Sequence, residues 1–280
     1  MIRKYLSKSR ETEIAELVSF IFEEYKISEN LNLDQLLNDL KITISYGDYE
    51  DAFDGLLEYN NGFFHIFCNE KRLNVKNSPR SRFTIAHELG HYFIEEHRLA
   101  LISGNLIGHC SFSDYQSDDI IEQEADFFAT SLLLPELKFQ NLSKKRRKGF
   151  DAILFLSDFF RTSITSTAIR FVSLNLAPCL IIKWKDNEYQ WKQISDDFRF
   201  DNYKKTIEVY NSSLRGSATE KAFKSSQNPD NGFFESITTA SIWFPCISNG
   251  SYKDILLIEQ AIKLGSHGII TFLSPSPEQL

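Results

Sequence analysis

The chain has 280 residues, 42% of them hydrophobic and 25% charged, with 24 Phe and 11 Tyr. That length can bury a substantial core, as two domains or one large one. A net charge of −7 argues against a protein whose main task is to bind nucleic acid, and no run of about eighteen apolar residues exists to span a membrane.

The basic stretch at residues 1–8 lacks the apolar core of a signal peptide. Cys68, Cys110, Cys179 and Cys246 are scattered, with no Cys-x-x-Cys pair. Reduced thiols and a cytoplasmic location are therefore expected.

Residues 10–27 place Ile14, Leu17, Val18, Ile21 and Phe22 at helical spacing, and Leu33, Leu36, Leu37 and Leu40 predict a second helix at 33–41. Residues 42–46 alternate like a strand. Between 53 and 69 two apolar runs flank Asn60-Asn61-Gly62, and Asn-Gly is a strong hairpin signal. A small antiparallel sheet is thus predicted. Its edge can hold an extended peptide by strand addition, or the sheet can simply support the helix that comes after it. His65, inside a strand, reads as structural.

The next stretch, Phe83-Thr-Ile-Ala-His-Glu-Leu-Gly-His-Tyr-Phe93, contains His-Glu-x-x-His. Asn77 or Ser78 can cap a helix here, and Pro79 suits its first position. Phe83, Ala86, Leu89, Gly90, Phe93 and Ile94 give it a buried face. His87 and His91 are one turn apart, with Cβ atoms about 5–6 Å from each other, so both imidazoles can converge on one zinc ion. Glu88 is offset by about 100° and sits beside the metal, placed to take a proton from the attacking water. Gly90 costs a helix interior about 1 kcal/mol relative to Ala. Another backbone approaching closely at the ligand turn accounts for it.

Residues 98–116 read as a long loop, able to act as a lid. His109 within it is either an extra ligand or donor, or a solvated loop residue. A further helix runs from near Ser117 to Pro135, with Ile121, Ala125, Phe128 and Leu132 as its inward stripe. Glu122 lies about 60° from the centre of that stripe and Glu124 about 100° on the other side. Glu122 is therefore preferred as third ligand, and Glu124→Gln is expected to leave metal occupancy nearly intact. Asp126, one turn beyond Glu122, can orient a ligating imidazole through its distal N–H. Two His and one Glu leave a fourth position for water, as catalytic zinc requires; manganese would fit the same donors.

Arg82-Phe-Thr-Ile-Ala-His-Glu-Leu-Gly-His, Glu122-x-x-Ala125-Asp126-x-Phe128-Ala129 and Leu132-Leu-Leu-Pro135 together resemble the ImmA/IrrE family of bacterial metallo-endopeptidases. The resemblance covers residues 82–135. It implies a zincin-like fold with His87, His91 and Glu122 as ligands and Glu88 as base. It also implies cleavage of a helix-turn-helix repressor, here expected on a separate polypeptide.

Beyond Pro135 the run Lys144-Lys-Arg-Arg-Lys148 is either a solvated face or a docking point for nucleic acid. Residues 150–160 and 164–174 read as two helices around Arg161-Thr162-Ser163, a helix-turn-helix-like segment similar to one found after the motifs in family members. Its Arg170 either helps stabilise an oxyanion or forms a surface salt bridge. From Pro178 strand patterns dominate: a hairpin around Asp186-Asn187, then alternation at 236–244, 256–264 and 269–273, with a polar loop expected at 211–231.

The predicted fold class is α+β. A zincin-like metallopeptidase domain at 1–142 precedes a helix-turn-helix-like segment at 143–176 and an α+β domain at 177–280 that senses, recognises substrate or braces. The expected function is a zinc-dependent endopeptidase acting on a repressor. The alternative is a metal-binding regulator or toxin–antitoxin component that works by protein binding without proteolysis. Direct DNA binding is disfavoured by the charge, and no membrane partner is expected.

Overall fold

Capping residues and apolar spacing set the first elements where the sequence places them. The structure is a computed structural model describing residues 6–27, 31–73, 76–104, 109–111, 119–147, 149–198, 214, 216–225, 232–244 and 255–276. Cys246, Lys148 and parts of the predicted loops lie outside those residues, as do the side chains of His109 and Cys110.

Helix α1 (Lys8–Glu24) starts at Ser7, whose side chain accepts from the Arg10 N–H, and buries Ile14, Val18 and Ile21. Asn32 caps α2 (Leu33–Asp39), which buries Leu33, Leu36 and Leu37. Strands β1 (Thr43–Gly47), β2 (Gly55–Asn60) and β3 (Phe63–Asn69) come next. Asn61 (φ 50°) and Gly62 (φ 90°) form the two-residue turn between β2 and β3. Both central residues have positive φ, as the hairpin turns that match strand twist require.

With β4 (His109–Ser111) the sheet order is β1-β3-β2-β4. The sheet is mixed, not antiparallel as predicted: β1 runs parallel to β3, while β2 is antiparallel to both β3 and β4. Alternation reports which face a residue takes, and says nothing of strand direction. His65 on β3 joins its ring nitrogens to the Thr43 and Ser45 hydroxyls of β1 at 2.6 and 2.8 Å, a structural role.

After the short α3 (Glu70–Leu73), helix α4 (Pro79–Phe93) lies against β2 and β3. Helix α5 (Glu95–Ile102) occupies the start of the stretch read as a loop, which also contributes β4. The breaker pair Ser103-Gly104 begins only after α5, and His97 and Leu101 are buried inside it. Helix α6 (Ile120–Leu133), capped by Asp119, crosses α4 at Gly90. A Cβ on Gly90 would stand 3.0 Å from the Ala125 Cα and 3.3 Å from its Cβ. The mid-helix glycine thus serves a close backbone approach, and the Phe93 and Phe128 rings stack beside it at 5.7 Å.

Helices α7 (Glu136–Ser143), α8 (Phe150–Phe160) and α9 (Ile164–Ser173) complete the helical run. The chain divides into two compact units: Met1–Lys138 with Ser157–Ser163, and Phe139–Leu156 with Ile164–Leu280. The segment 143–176 therefore forms no unit of its own. The reason is aromatic packing within the second unit. The rings of Phe150 and Phe171 lie 5.9 and 6.2 Å from Phe272 on β9 (Ile269–Pro275).

The second unit is built on a five-stranded sheet of order β6-β5-β9-β8-β7. It comprises β5 (Leu180–Lys185), β6 (Glu188–Ile194), β7 (Phe233–Thr239), β8 (Leu256–Lys263) and β9. One face packs Leu180, Ile182, Trp184, Trp243 and Leu257 with Ala218 and Ala222 of α10 (Ala218–Lys224). That helix falls inside the polar stretch read as a loop. Its signal was Ser217-Ala-Thr-Glu220, a capping-box spacing: the Ser217 side chain accepts from the Glu220 N–H, and Glu220 accepts from the Gly216 N–H. The strand predicted at 236–244 stops at Thr239, and α11 (Ala240–Trp243) takes over. No helix among the described residues is long and apolar enough to cross a membrane.

Candidate metal centre

The start of α4 sets the phase of everything on it. Ser78 accepts from the Ser81 N–H and Pro79 opens the first turn. From there Ser81, Arg82 and every residue from Thr84 to His91 are buried. His87 and His91 meet Glu122 of α6. The two Nε2 atoms lie 3.1 Å apart, and the Glu122 carboxylate oxygens are each 3.4 Å from one of them. His87, His91 and Glu122 offer ligand atoms within 4.8 Å of one another.

The far side of each imidazole is held as well. His87 Nδ1 is 2.8 Å from Asp126 Oδ1. A carboxylate only accepts, so His87 Nδ1 carries the hydrogen and Nε2 is the remaining donor atom for a metal. His91 Nδ1 is 3.2 Å from His97 Nδ1, and His97 Nε2 is 3.1 Å from Glu124 Oε2. Burial pushes the His97 pKa down against the pull of Glu124, so His97 is neutral near pH 7. Its single hydrogen goes to Glu124 on Nε2, its Nδ1 accepts from His91, and His91 Nε2 is left as a lone pair.

Two imidazole lone pairs and a carboxylate therefore converge on one point. Such a set is satisfied only by a cation or a proton between its members, and its two nitrogens and one carboxylate suit zinc or manganese. The residues fit a metal.

Sequence reasoning missed His97 and Arg10, and with them the contacts of Glu124. The Glu122 and Glu124 side chains are equally shielded, at 12% exposed each, but face different partners. Arg10 of α1 grips Glu124 with two bonds, Nε to Oε1 at 3.0 Å and a terminal nitrogen to Oε2 at 2.9 Å. It also reaches Glu13 and Glu96. The wheel assumed one neighbour for α6, whereas both α1 and α4 pack on it. Nothing local in the sequence marks α1 as the second neighbour.

Charge in the metal-free centre is set by the same contacts. Burial opposes charge on His87, but the Asp126 and Glu122 carboxylates outweigh it and raise its pKa from 6.5 to about 10. The protonated ring supports the metal-free fold fully below pH 6.5, and that support is lost as pH rises through about 10. A metal must displace this proton. Uptake at pH 7 is therefore expected to release a proton, with affinity climbing with pH until about 10. Calorimetry in buffers of different ionisation enthalpy measures the release; uptake with no proton released would contradict it.

Glu88 is fully buried outside the three-residue group. It faces the first residue of β2: a Cβ on Gly55 would stand 2.6 Å from Glu88 Oε1 and would also run into the Thr84 methyl. Its charge raises the His87 pKa, and it adds to the burial that pushes the Cys68 thiol up to about 12. Arg170 is buried on α9, in the second unit, which does not contain the metal group.

A His-Glu-x-x-His helix laid on a small sheet, with a carboxylate from the next long helix closing the group, defines a zincin-like α+β fold. Residues 54–172 match the family described as the IrrE N-terminal-like domain, a peptidase family. That match agrees with the ImmA/IrrE resemblance of the motifs at 82–135. No curated protein matches the chain. Among solved structures, a Mycobacterium tuberculosis transcriptional regulator is similar at TM-score 0.56 and 14% identity, covering 97% of this chain and 77% of its own. At that identity the likeness shows the fold alone.

Proposed function

We propose that this chain is a metal-dependent endopeptidase that cuts a helix-turn-helix repressor carried on a separate polypeptide. The observation that supports it most is the convergence of His87, His91 and Glu122 inside a peptidase-family domain. Zinc is the proposed metal, with manganese as the alternative for the same donors. When bound, the metal supplies Lewis acidity toward a peptide carbonyl and toward water. Glu88 accepts the proton from the attacking water and hands it to the leaving amine. Asp126 and His97 hold the two imidazoles in the tautomers that present Nε2.

Substrate geometry comes from the sheet. β4 ends the strand order and pairs with β2 alone among the described strands, and its outer edge is the proposed place for an extended segment added as a further strand. An interdomain linker can adopt that form and a helix cannot. One main cut in a repressor, with negligible digestion of unfolded casein, is the expected pattern. A second reading, a regulator that binds without cleaving, draws on the fold shared with a transcriptional regulator.

Intact mass after co-incubation with a helix-turn-helix protein encoded beside this chain, with and without chelator, separates them. Discrete fragments that appear only with metal support the peptidase. A repressor left whole while its DNA binding is lost supports the binder.

A further inference from the structure

The first unit also holds a cavity of about 700 Å³ whose lining residues all belong to that unit and include none of the metal group. Arg82 lines it from the first turns of α4. Arg82 is 9% exposed, and its buried Nε has no hydrogen-bond partner. Among the described residues no carboxylate comes within ion-pair distance of it. Two further cations line the same cavity, Lys138 and Arg161, the latter at a turn where φ is 54°. Burial lowers the Arg82 pKa, Arg161 lowers it further, and only Asp34 acts the other way.

Such an arrangement is costly unless something negative completes it. A buried cation without a partner loses its hydration, and a like charge nearby adds repulsion. The helix compounds the effect. α4 has no acidic residue in its first turn, so its positive end adds to Arg80 and Arg82. Arg80 is answered by the buried Asp54 at 2.7 Å, and Arg82 has no such answer among the described residues. An oxyanion between Arg82 and Arg161 would turn one repulsion into two attractions, and a guanidinium fork matches carboxylate and phosphate oxygens in pairs.

The remaining wall sets the rest of the ligand. Leu132, Leu133, Phe159 and Phe160 give the cavity an apolar side. Its volume falls in the range of about 300–1,000 Å³ usual for small-molecule sites. Asp34 and Asp158 also line it, both on exposed positions, so the buried charge is the arginine's. Arg82 precedes His87 by five positions, about 140° around the helix. The cavity thus opens on a different side of α4 from the imidazoles.

We infer that this cavity binds a small organic anion, a carboxylate or phosphate group on an apolar body, with the oxyanion on Arg82 and Arg161 and the body against Leu132, Leu133 and Phe160. This site does not depend on the peptidase reading, and its test reads binding rather than cleavage. Calorimetric titration of the full chain uses benzoate, phenyl phosphate, inorganic phosphate and uncharged benzamide. Saturable binding of benzoate or phenyl phosphate is expected. The stronger of the two identifies the anion, with inorganic phosphate weaker than its phenyl ester and benzamide not bound. Arg82→Gln should weaken the bound anion at least about tenfold, and Arg161→Gln, at an exposed position, about threefold. Circular dichroism checks that the variants fold. If Arg82→Gln does not fold, Arg161→Glu carries the test, with a loss of about tenfold expected from reversing the charge. The inference is overturned if neither organic anion binds in the millimolar range. Benzamide binding as well as benzoate would overturn it too, as would affinity unchanged in the folded arginine variants.

Discussion

Glu88→Gln is expected to keep fold and metal while hydrolysis falls by at least about 10²-fold, the lower range for a positioned acid–base group. The amide has nearly the shape of the carboxylate, so a fully buried position takes it without a cavity. It cannot accept a proton from water, and the three residues that converge on the metal position do not include it. Gly55 gives an independent handle on the same carboxylate. A Cβ there would stand 2.6 Å from Glu88 Oε1, so Gly55→Ala must shift the base without touching any ligand. Misplacement by a fraction of an ångström should lower turnover about tenfold. Elemental analysis reports the metal and single-turnover cleavage reports the rate. A Gln variant that cleaves at the wild-type rate would remove Glu88 from the mechanism.

Metal affinity is expected to fall by more than about 10²-fold in Glu122→Gln and by about 10–100-fold in Glu124→Gln, the range seen when residues behind a ligand are changed. The first removes the anionic member of the converging group, whose oxygens lie 3.4 Å from both imidazoles. The second acts at a distance. An amide in place of Glu124 can turn its NH₂ toward His97 and force the opposite tautomer, which aims an N–H at His91 Nδ1 where an acceptor is needed. The helical wheel alone leaves Glu124→Gln nearly silent, and the His91–His97–Glu124–Arg10 chain is the reason to expect otherwise. Competition with a chromophoric chelator measures both affinities. Equal affinity in wild type and Glu124→Gln would show that this chain of contacts does not hold His91.

The measurements are informative in combination. A silent Glu124→Gln with a dead Glu88→Gln would leave the peptidase reading intact and remove only the supporting chain. Retained repressor binding in a Glu88→Gln variant that no longer cuts would show that recognition and hydrolysis are separable.

The sequence by itself determined what depends on near neighbours in the chain. Ser78 and Pro79 start a helix, four residues separate His87 from His91, and Asn61-Gly62 closes a hairpin, all through local geometry. The need for a close backbone at Gly90 was also legible, because a mid-helix glycine is unfavourable without one; Ala125 proves to be that backbone. The tertiary structure decided everything that depends on which faces meet. Periodicity shows that α6 has an inward side, but only the packing of α1 on it turns Glu124 toward Arg10 and His97. Alternation marks β1 as a strand without saying that it runs parallel to β3. Arg82 reads as one more basic residue of a motif. Its burial beside a cavity that Arg161 also lines, with no carboxylate in ion-pair contact among the described residues, arises from segments far apart in the chain, and no local pattern encodes such a meeting.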